Sequence, residues 1–220
     1  MSGIRDKICR VNSLLTAMYG KKAAKASSDP LDTLIKTILS QNTTDKNSIP
    51  AFWALKKKFV RWEKAGAAKV REIASIVRPA GLYRQKARNI LSALNVIHRA
   101  FKKTNLNALK SMRPENAAAF LSALKGVGPK TVACVMLFSL KAPYFPVDTH
   151  ILRVSKRLGI IKEKVNARDA HEFFKSVTPR DMMYELHINM IEHGRRSCRA
   201  RNPKCEKCSL KKMCLWFKGR

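Results

Sequence analysis

Apolar residues recur three or four positions apart along most of the chain, the spacing that lines one face of a helix. Ile4, Ile8, Val11, Leu15 and Met18 form the first such run, and Gly20 closes it. Ser28 and Asp29 supply a cap for the next, Pro30 sits near its first helical position, and Leu31, Leu34, Ile35, Ile38 and Leu39 follow. A third run covers 48–59, with Pro50 in its first turn, and a fourth covers 69–77 and ends in Arg-Pro-Ala-Gly. The longest spans 83–101 through Ala87, Ile90, Leu91, Leu94 and Ile97. Segments 114–124, 129–140, 149–158, 167–177 and 179–193 complete the set. Nothing alternates with the period of two that marks a strand, so the expected fold is all-α, with roughly ten helices joined by short connections.

Composition narrows the function without naming it. The chain has 220 residues, 45% of them hydrophobic, which excludes a disordered chain and suffices for one domain or two small ones around a cleft. Lys and Arg number 45 against 15 Asp and Glu, a net charge of +30 that points to a polyanion, most commonly nucleic acid. A ribosomal or histone-like protein would carry the same charge. The first ten residues, MSGIRDKICR, scatter charges where a signal peptide needs an apolar core, and no apolar run is long enough to span a bilayer. The expected location is intracellular, in cytoplasm and nucleoid or in a nucleus, and its six cysteines then read as thiols or metal ligands.

Three short stretches carry chemistry. The first is LKGVGPKT, residues 124–131. Gly126-Val127-Gly128 makes a tight turn between two helices, Val127 tucks between them, and Pro129 starts the second helix. Backbone amides left free by such a turn suit a phosphate oxygen, although a lone turn of this kind is also an ordinary helix connection. Lys130 then falls in a first helical turn, where the macrodipole makes a positive charge unfavourable by a few tenths to about 1 kcal/mol. The second is Asp148, directly before the run 149–158 and a natural N-cap for it. The third is Cys198, Cys205, Cys208 and Cys214, spaced C-x6-C-x2-C-x5-C in a segment dense in Arg and Lys. Four thiolates so spaced can hold tetrahedral zinc or a [4Fe-4S] cluster. Cys9 and Cys134 lie in helical runs and read as small core residues.

LKGVGPKTVACVM resembles the helix-hairpin-helix of the endonuclease III family of DNA base-excision glycosylases, and FPVDTHILRVSKRLG at 145–159 is similar to the segment that follows it there. ILSQNTTD at 38–45, GLYRQKARNI at 81–90 and the C-terminal cysteines extend the resemblance over nearly the whole chain. The resemblance implies a bifunctional DNA N-glycosylase and abasic-site lyase of base-excision repair acting, as a monomer, on oxidised pyrimidines in duplex DNA. Lys130 would be its Schiff-base nucleophile, and Asp148 would stabilise sugar charge and assist proton transfer. The cysteines would hold a [4Fe-4S] cluster that folds the loop and presents Arg199, Arg201, Lys204 and Lys207 to phosphates. Gln41, Asn42 and Leu82 would fill the gap left by an extruded base, with Tyr83 a stacking option. Aligned on Ser40 and Asp45, the family's intercalating glutamine falls at Asn42, one residue after this chain's glutamine. Two helical domains would flank a DNA-binding cleft: a barrel with the hairpin at 29–142, and residues 1–28 with 143–220 carrying the cluster loop. Lys130 and Asp148 would both line that cleft. A monofunctional thymine or adenine mismatch glycosylase, or a non-catalytic DNA-binding relative, shares much of this pattern, but the mismatch enzymes usually carry another residue where Lys130 stands.

Overall fold

The computed structural model describes residues 2–23 and 28–219, and every regular element among them is helical. In chain order these are α1 (Ser2–Tyr19), α2 (Pro30–Ser40), α3 (Asp45–Lys58), α4 (Trp62–Gly66), α5 (Val70–Ile76) and α6 (Tyr83–Phe101). After them come α7 (Pro114–Ser122), α8 (Pro129–Phe138), α9 (Thr149–Leu158), α10 (Ala167–Val177), α11 (Met183–Arg196) and α12 (Leu215–Lys218). The all-α expectation holds, and the differences lie at ends. Helix α3 starts three residues before 48, because extended Thr44 offers its carbonyl to the amides of Asn47 and Ser48. Pro50 therefore lies inside the helix, where it cannot donate to the Lys46 carbonyl. Helices α7 and α8 each stop two residues early, and α11 begins after a 3-10 turn at Arg180–Met182 and runs on to Arg196. Helices α4 and α12 are too short to show a period. No helix among the described residues is long and apolar enough to cross a membrane.

The chain divides into two compact units, residues 27–142 and residues 1–26 with 143–220. In the first, α2 packs on α3, α6 and α8, and Leu31, Leu34, Ile35, Ile38 and Leu39 are wholly buried. Pro30 at the first helical position follows Asp29, whose side chain accepts the Asp32 amide at 2.8 Å. Asp32 in turn takes the Trp62 indole N–H at 2.8 Å and Lys56 Nζ at 3.1 Å, which ties α3 and α4 to the start of α2. In the second unit, α11 packs on α1 and α9. Ile8, Val11 and Leu15 of α1 are buried, whereas Ile4 and Cys9 are half-buried and Met18 is exposed, so the buried stripe is narrower than the periodicity suggests and Cys9 is not a core residue. Cys134 is buried as expected.

Adjacent phenylalanines test the register of α10. Phe174 is fully buried and stacks on Phe145 at 4.8 Å between centroids, while Phe173 is half-buried. Phe174→Ala should lower unfolding free energy by about 3–5 kcal/mol and Phe173→Ala by roughly half that or less, read as shifts of the urea midpoint. Equal losses would mean that the helix is rotated from its observed register.

Candidate active site and cysteine loop

The hairpin 124–131 is built by two glycines with different tasks. Gly126 has φ +78°, and a Cβ there would run into the Asn89 side chain of α6. Gly128 is extended, with φ −95° and ψ 176°, faces open space, and forms the N-cap of α8. Val127 is buried beneath the turn. The amides of Gly126, Gly128 and Lys130 have no acceptor among the described residues, so three donors cluster at the start of α8. Lys130 is the second residue of that helix and is half-buried.

Two loops of the same unit approach this hairpin or α6. Gln41, at the C-terminus of α2, donates through Nε2 to Gly126 O at 3.0 Å and lies 3.4 Å from Thr131 Oγ1. Its amide thus braces the hairpin, while Asn42 beside it is exposed with φ +51°. Leu82, before α6, is 54% exposed with φ +46°, and Tyr83 after it is half-buried.

The other unit holds Asp148 at the start of α9 and the four cysteines in the loop between α11 and α12. Asp148 caps α9, its Oδ1 accepting the Ile151 amide at 2.8 Å, and Oδ2 has no partner among the described residues. The backbone leading to it is pinned from behind: buried His187 donates through Nδ1 to Pro146 O at 2.9 Å, and buried His171 lies 3.0 Å from Phe145 O. Farther along α9, Arg153 donates to Gly194 O and Cys198 O at 2.8 and 3.0 Å. Arg157 donates to Cys198 Sγ, Arg199 O and Ala200 O at 3.4, 2.8 and 3.1 Å and stacks on Trp216. Helix α9 therefore caps itself with Asp148 at one end and grips the cysteine loop with two arginines one turn apart.

Cys198, Cys205, Cys208 and Cys214 line one cavity, with His193, Leu210 and Trp216 among its walls. Burial pushes the Cys208 thiol up, and the three other cysteines beside it add to the shift. His193 is buried and pushed down to about 4 by loss of solvent, so it is neutral at ordinary pH. Its Nδ1 lies 3.0 Å from Tyr19 Oη, which also bonds Ser197 Oγ at 2.8 Å, and its Nε2 lies 3.7 Å from Cys208 Sγ. With the proton on Nε2, one chain runs from Ser197 through Tyr19 and His193 to the sulfur. Arg199, Arg201, Lys204 and Lys207 surround the loop and are exposed.

Arg153, Arg157, Tyr19 and His193 are absent from the sequence expectations. A visible signal existed for the arginines, which recur four residues apart on a helix whose other face is apolar.

Residues 35–180 match the protein family described as HhH-GPD superfamily base excision DNA repair protein. Endonuclease III of Sulfolobus acidocaldarius is 34% identical over 187 residues, 84% of this chain and 81% of that protein. Endonuclease III of Thermotoga maritima is 32% identical over 192 residues, 87% of this chain and 85% of that protein. A solved structure of a trapped endonuclease III–DNA covalent intermediate superposes with a TM-score of 0.83 at 27% identity, covering 98% of each chain.

The two hairpin glycines should separate in a stability measurement. Gly126→Ala combines a left-handed backbone with the Asn89 collision and should lower unfolding free energy by about 1–3 kcal/mol. Gly128→Ala, extended and unobstructed, should lower it by less than about 1 kcal/mol. The reverse order in urea melts would show that the turn is built otherwise.

Proposed function

This chain belongs to the HhH-GPD superfamily of base excision DNA repair proteins, and we propose that within it the chain is a bifunctional DNA N-glycosylase and abasic-site lyase acting on oxidised pyrimidines in duplex DNA. Its general activity is that of a DNA glycosylase. The observation that carries the bifunctional reading is a lysine, Lys130, placed one residue into α8 behind three hairpin amides that have no acceptor among the described residues. Those amides and the helix N-terminus suit a DNA phosphate, which would bring the sugar of a damaged nucleotide to the Lys130 amine. A covalent DNA intermediate has been trapped for the structurally similar endonuclease III, which is the class of chemistry a lysine nucleophile gives.

The steps balance with this chain's own groups. The Lys130 amine attacks C1′ of the deoxyribose, and the electrons of the N-glycosidic bond leave with the base, which takes up a proton. Loss of the amine proton and opening of the sugar ring leave a Schiff base between Nζ and C1′. Removal of a C2′ proton then expels the 3′ phosphate, and water releases the lysine from the nicked strand. We assign to Asp148 the carboxylate that stabilises positive charge on the sugar and takes part in the proton transfers. The division of its oxygens supports that assignment, since Oδ1 is spent on the cap while Oδ2 is free. Asn42 and Leu82 are assigned to fill the space of the extruded base, and Gln41 to brace the hairpin. Exposed Arg199, Arg201, Lys204 and Lys207 are assigned to phosphates.

No three His, Cys, Asp or Glu side chains among the described residues are drawn together closely enough to hold a metal ion, but four thiols line one cavity, with a guanidinium and an imidazole at two of the sulfurs, a donor set that suits a [4Fe-4S] cluster, and Cys198, Cys205, Cys208 and Cys214 would hold it. When bound it supplies a cross-link between the end of α11 and the basic loop. The residues of the chain do the rest: Arg153 and Arg157 hold the loop's carbonyls, and Lys204 donates its amide to Ser197 O at 3.0 Å.

Two measurements follow. Purified protein should be brown, with about four irons per chain and no stoichiometric zinc, and Cys208→Ser should lose the colour while far-ultraviolet circular dichroism stays close to that of the parent. A colourless zinc protein with full activity would reject the cluster. Borohydride added during turnover should join the protein covalently to a duplex carrying one oxidised pyrimidine. Lys130→Gln should abolish both that adduct and strand nicking, whereas Asp148→Asn, which preserves the cap, should keep its melting temperature yet slow base removal by about 100-fold or more. An adduct that survives in Lys130→Gln would place the nucleophile elsewhere.

A further inference from the structure

Lys86 lies one turn into α6 with only 2% of its surface exposed, in line with the apolar stripe of Ile90, Ala93 and Ile97. Its Nζ donates to Leu39 O and to Ala80 O, both at 2.7 Å. Neither acceptor has a helical donor to spare. Leu39 O belongs to the last turn of α2, and Ala80 is the final residue of the 3-10 turn Arg78–Ala80. Each carbonyl lies just upstream of an exposed residue held in the left-handed region, Asn42 after the first and Leu82 after the second. A left-handed backbone costs a non-glycine residue roughly 1–2 kcal/mol, and it persists only where the surroundings over-determine it. The Asn42 side chain has no hydrogen-bond partner among the described residues, and Leu82 projects into solvent, so their own contacts do not account for these conformations. The group common to both loops is the Lys86 ammonium.

Burying that ammonium is itself unfavourable, and burial lowers its proton affinity below that of a free lysine. A Met or Leu would fill the same space without that penalty, so the use of a lysine lies in its two bonds. One turn farther on α6, Asn89 packs against Gly126, and Gln41 donates to Gly126 O. Three loops thus meet the first turns of one helix.

We propose that Lys86 is a positioning residue that locks the 40–45 and 80–83 loops in register, so that Asn42 and Leu82 enter a duplex as one wedge when a damaged base is extruded. This rests on the glycosylase reading above and goes beyond it by making one buried donor responsible for the spacing of the wedge.

The test uses the full chain as Lys86→Met, which keeps the volume and removes the donors, and Lys86→Arg, which restores two donors. Hydrogen exchange is followed in peptides covering 38–45 and 78–84, with 149–158 as a control, and single-turnover base removal and affinity for undamaged duplex are measured in parallel. Lys86→Met should raise exchange in both segments together by about tenfold or more, leaving the control unchanged. It should slow base removal by about tenfold to a hundredfold while affinity for undamaged duplex stays within about twofold. Lys86→Arg should recover most of both losses. Loosening of one segment alone, of neither, or of both with base removal unchanged would overturn the proposal. Should Lys86→Met fail to fold, Lys86→Leu, which also removes both donors, is read by the same criteria. A parent protein that removes no base would instead overturn the enzymatic reading, and the exchange comparison would still decide the locking by itself.

Discussion

A protein made only of helices must deal with the backbone groups that each helix end leaves without partners, and most of this structure's chemistry follows from how it does so. Some ends are closed by side chains. Asp29 closes the start of α2, Asn166 that of α10, and Lys86 takes the carbonyls that end α2 and the turn before α6. The start of α8 is left open: the amides of Gly126, Gly128 and Lys130 have no acceptor among the described residues. In water such donors cost little, and beside a phosphate they become a binding site. Other helix starts, those of α5 and α7 among them, also lack a side-chain cap, and what sets α8 apart is the glycine turn and the lysine beside its free donors.

Helix α9 shows both uses in ten residues. At its N-terminus Asp148 closes the helix with one oxygen and keeps the other available. Two histidines hold the entering chain, so the carboxylate is set by backbone that is itself fixed. At its C-terminal half Arg153 and Arg157 cover carbonyls of a loop that has no regular structure to satisfy them. Arg157 meets Cys198 Sγ as well, so the guanidinium satisfies backbone and sulfur at once. A lysine could not do this, because one ammonium on a flexible stem lacks the rigid fork of donors.

How much of this was legible in the sequence depended on how far apart the partners lie. Helices 149–158 and 167–177 coincide with the observed ones because local signals mark them: Asp148 and Gly159 bracket α9, and Asn166 caps the start of α10, while 83–101 coincides through the length of its apolar stripe. Candidate chemistry in Lys130, Asp148 and the cysteines was readable because each sits in a short, contiguous motif. Lys86 was not, since its acceptors lie 47 and 6 residues away and a lysine in a basic chain draws no notice. The Tyr19–His193 contact joins residues 174 apart, and the brace from Gln41 to Gly126 spans 85. Early capping by the Thr44 carbonyl was equally hidden, because backbone capping has no residue signature and Pro50 argued for a later start.

The position of Lys130 conflicts with helix physics, and the conflict is informative. A cation near a helix N-terminus is unfavourable, as is leucine with positive φ at 82, asparagine with positive φ at 42 and a buried ammonium at 86. All four lie in the same unit, within loops or first turns that surround the start of α6 and α8. Positive φ also occurs at Lys102, Lys141 and Asn202, the last of them in the other unit, so backbone strain by itself does not single out this region. What this unit adds is two charged groups in unfavourable places, Lys130 in a first helical turn and Lys86 in the core, and departures of that kind are expected where function competes with stability. The first of these two lysines stands in the hairpin that the sequence motif singles out.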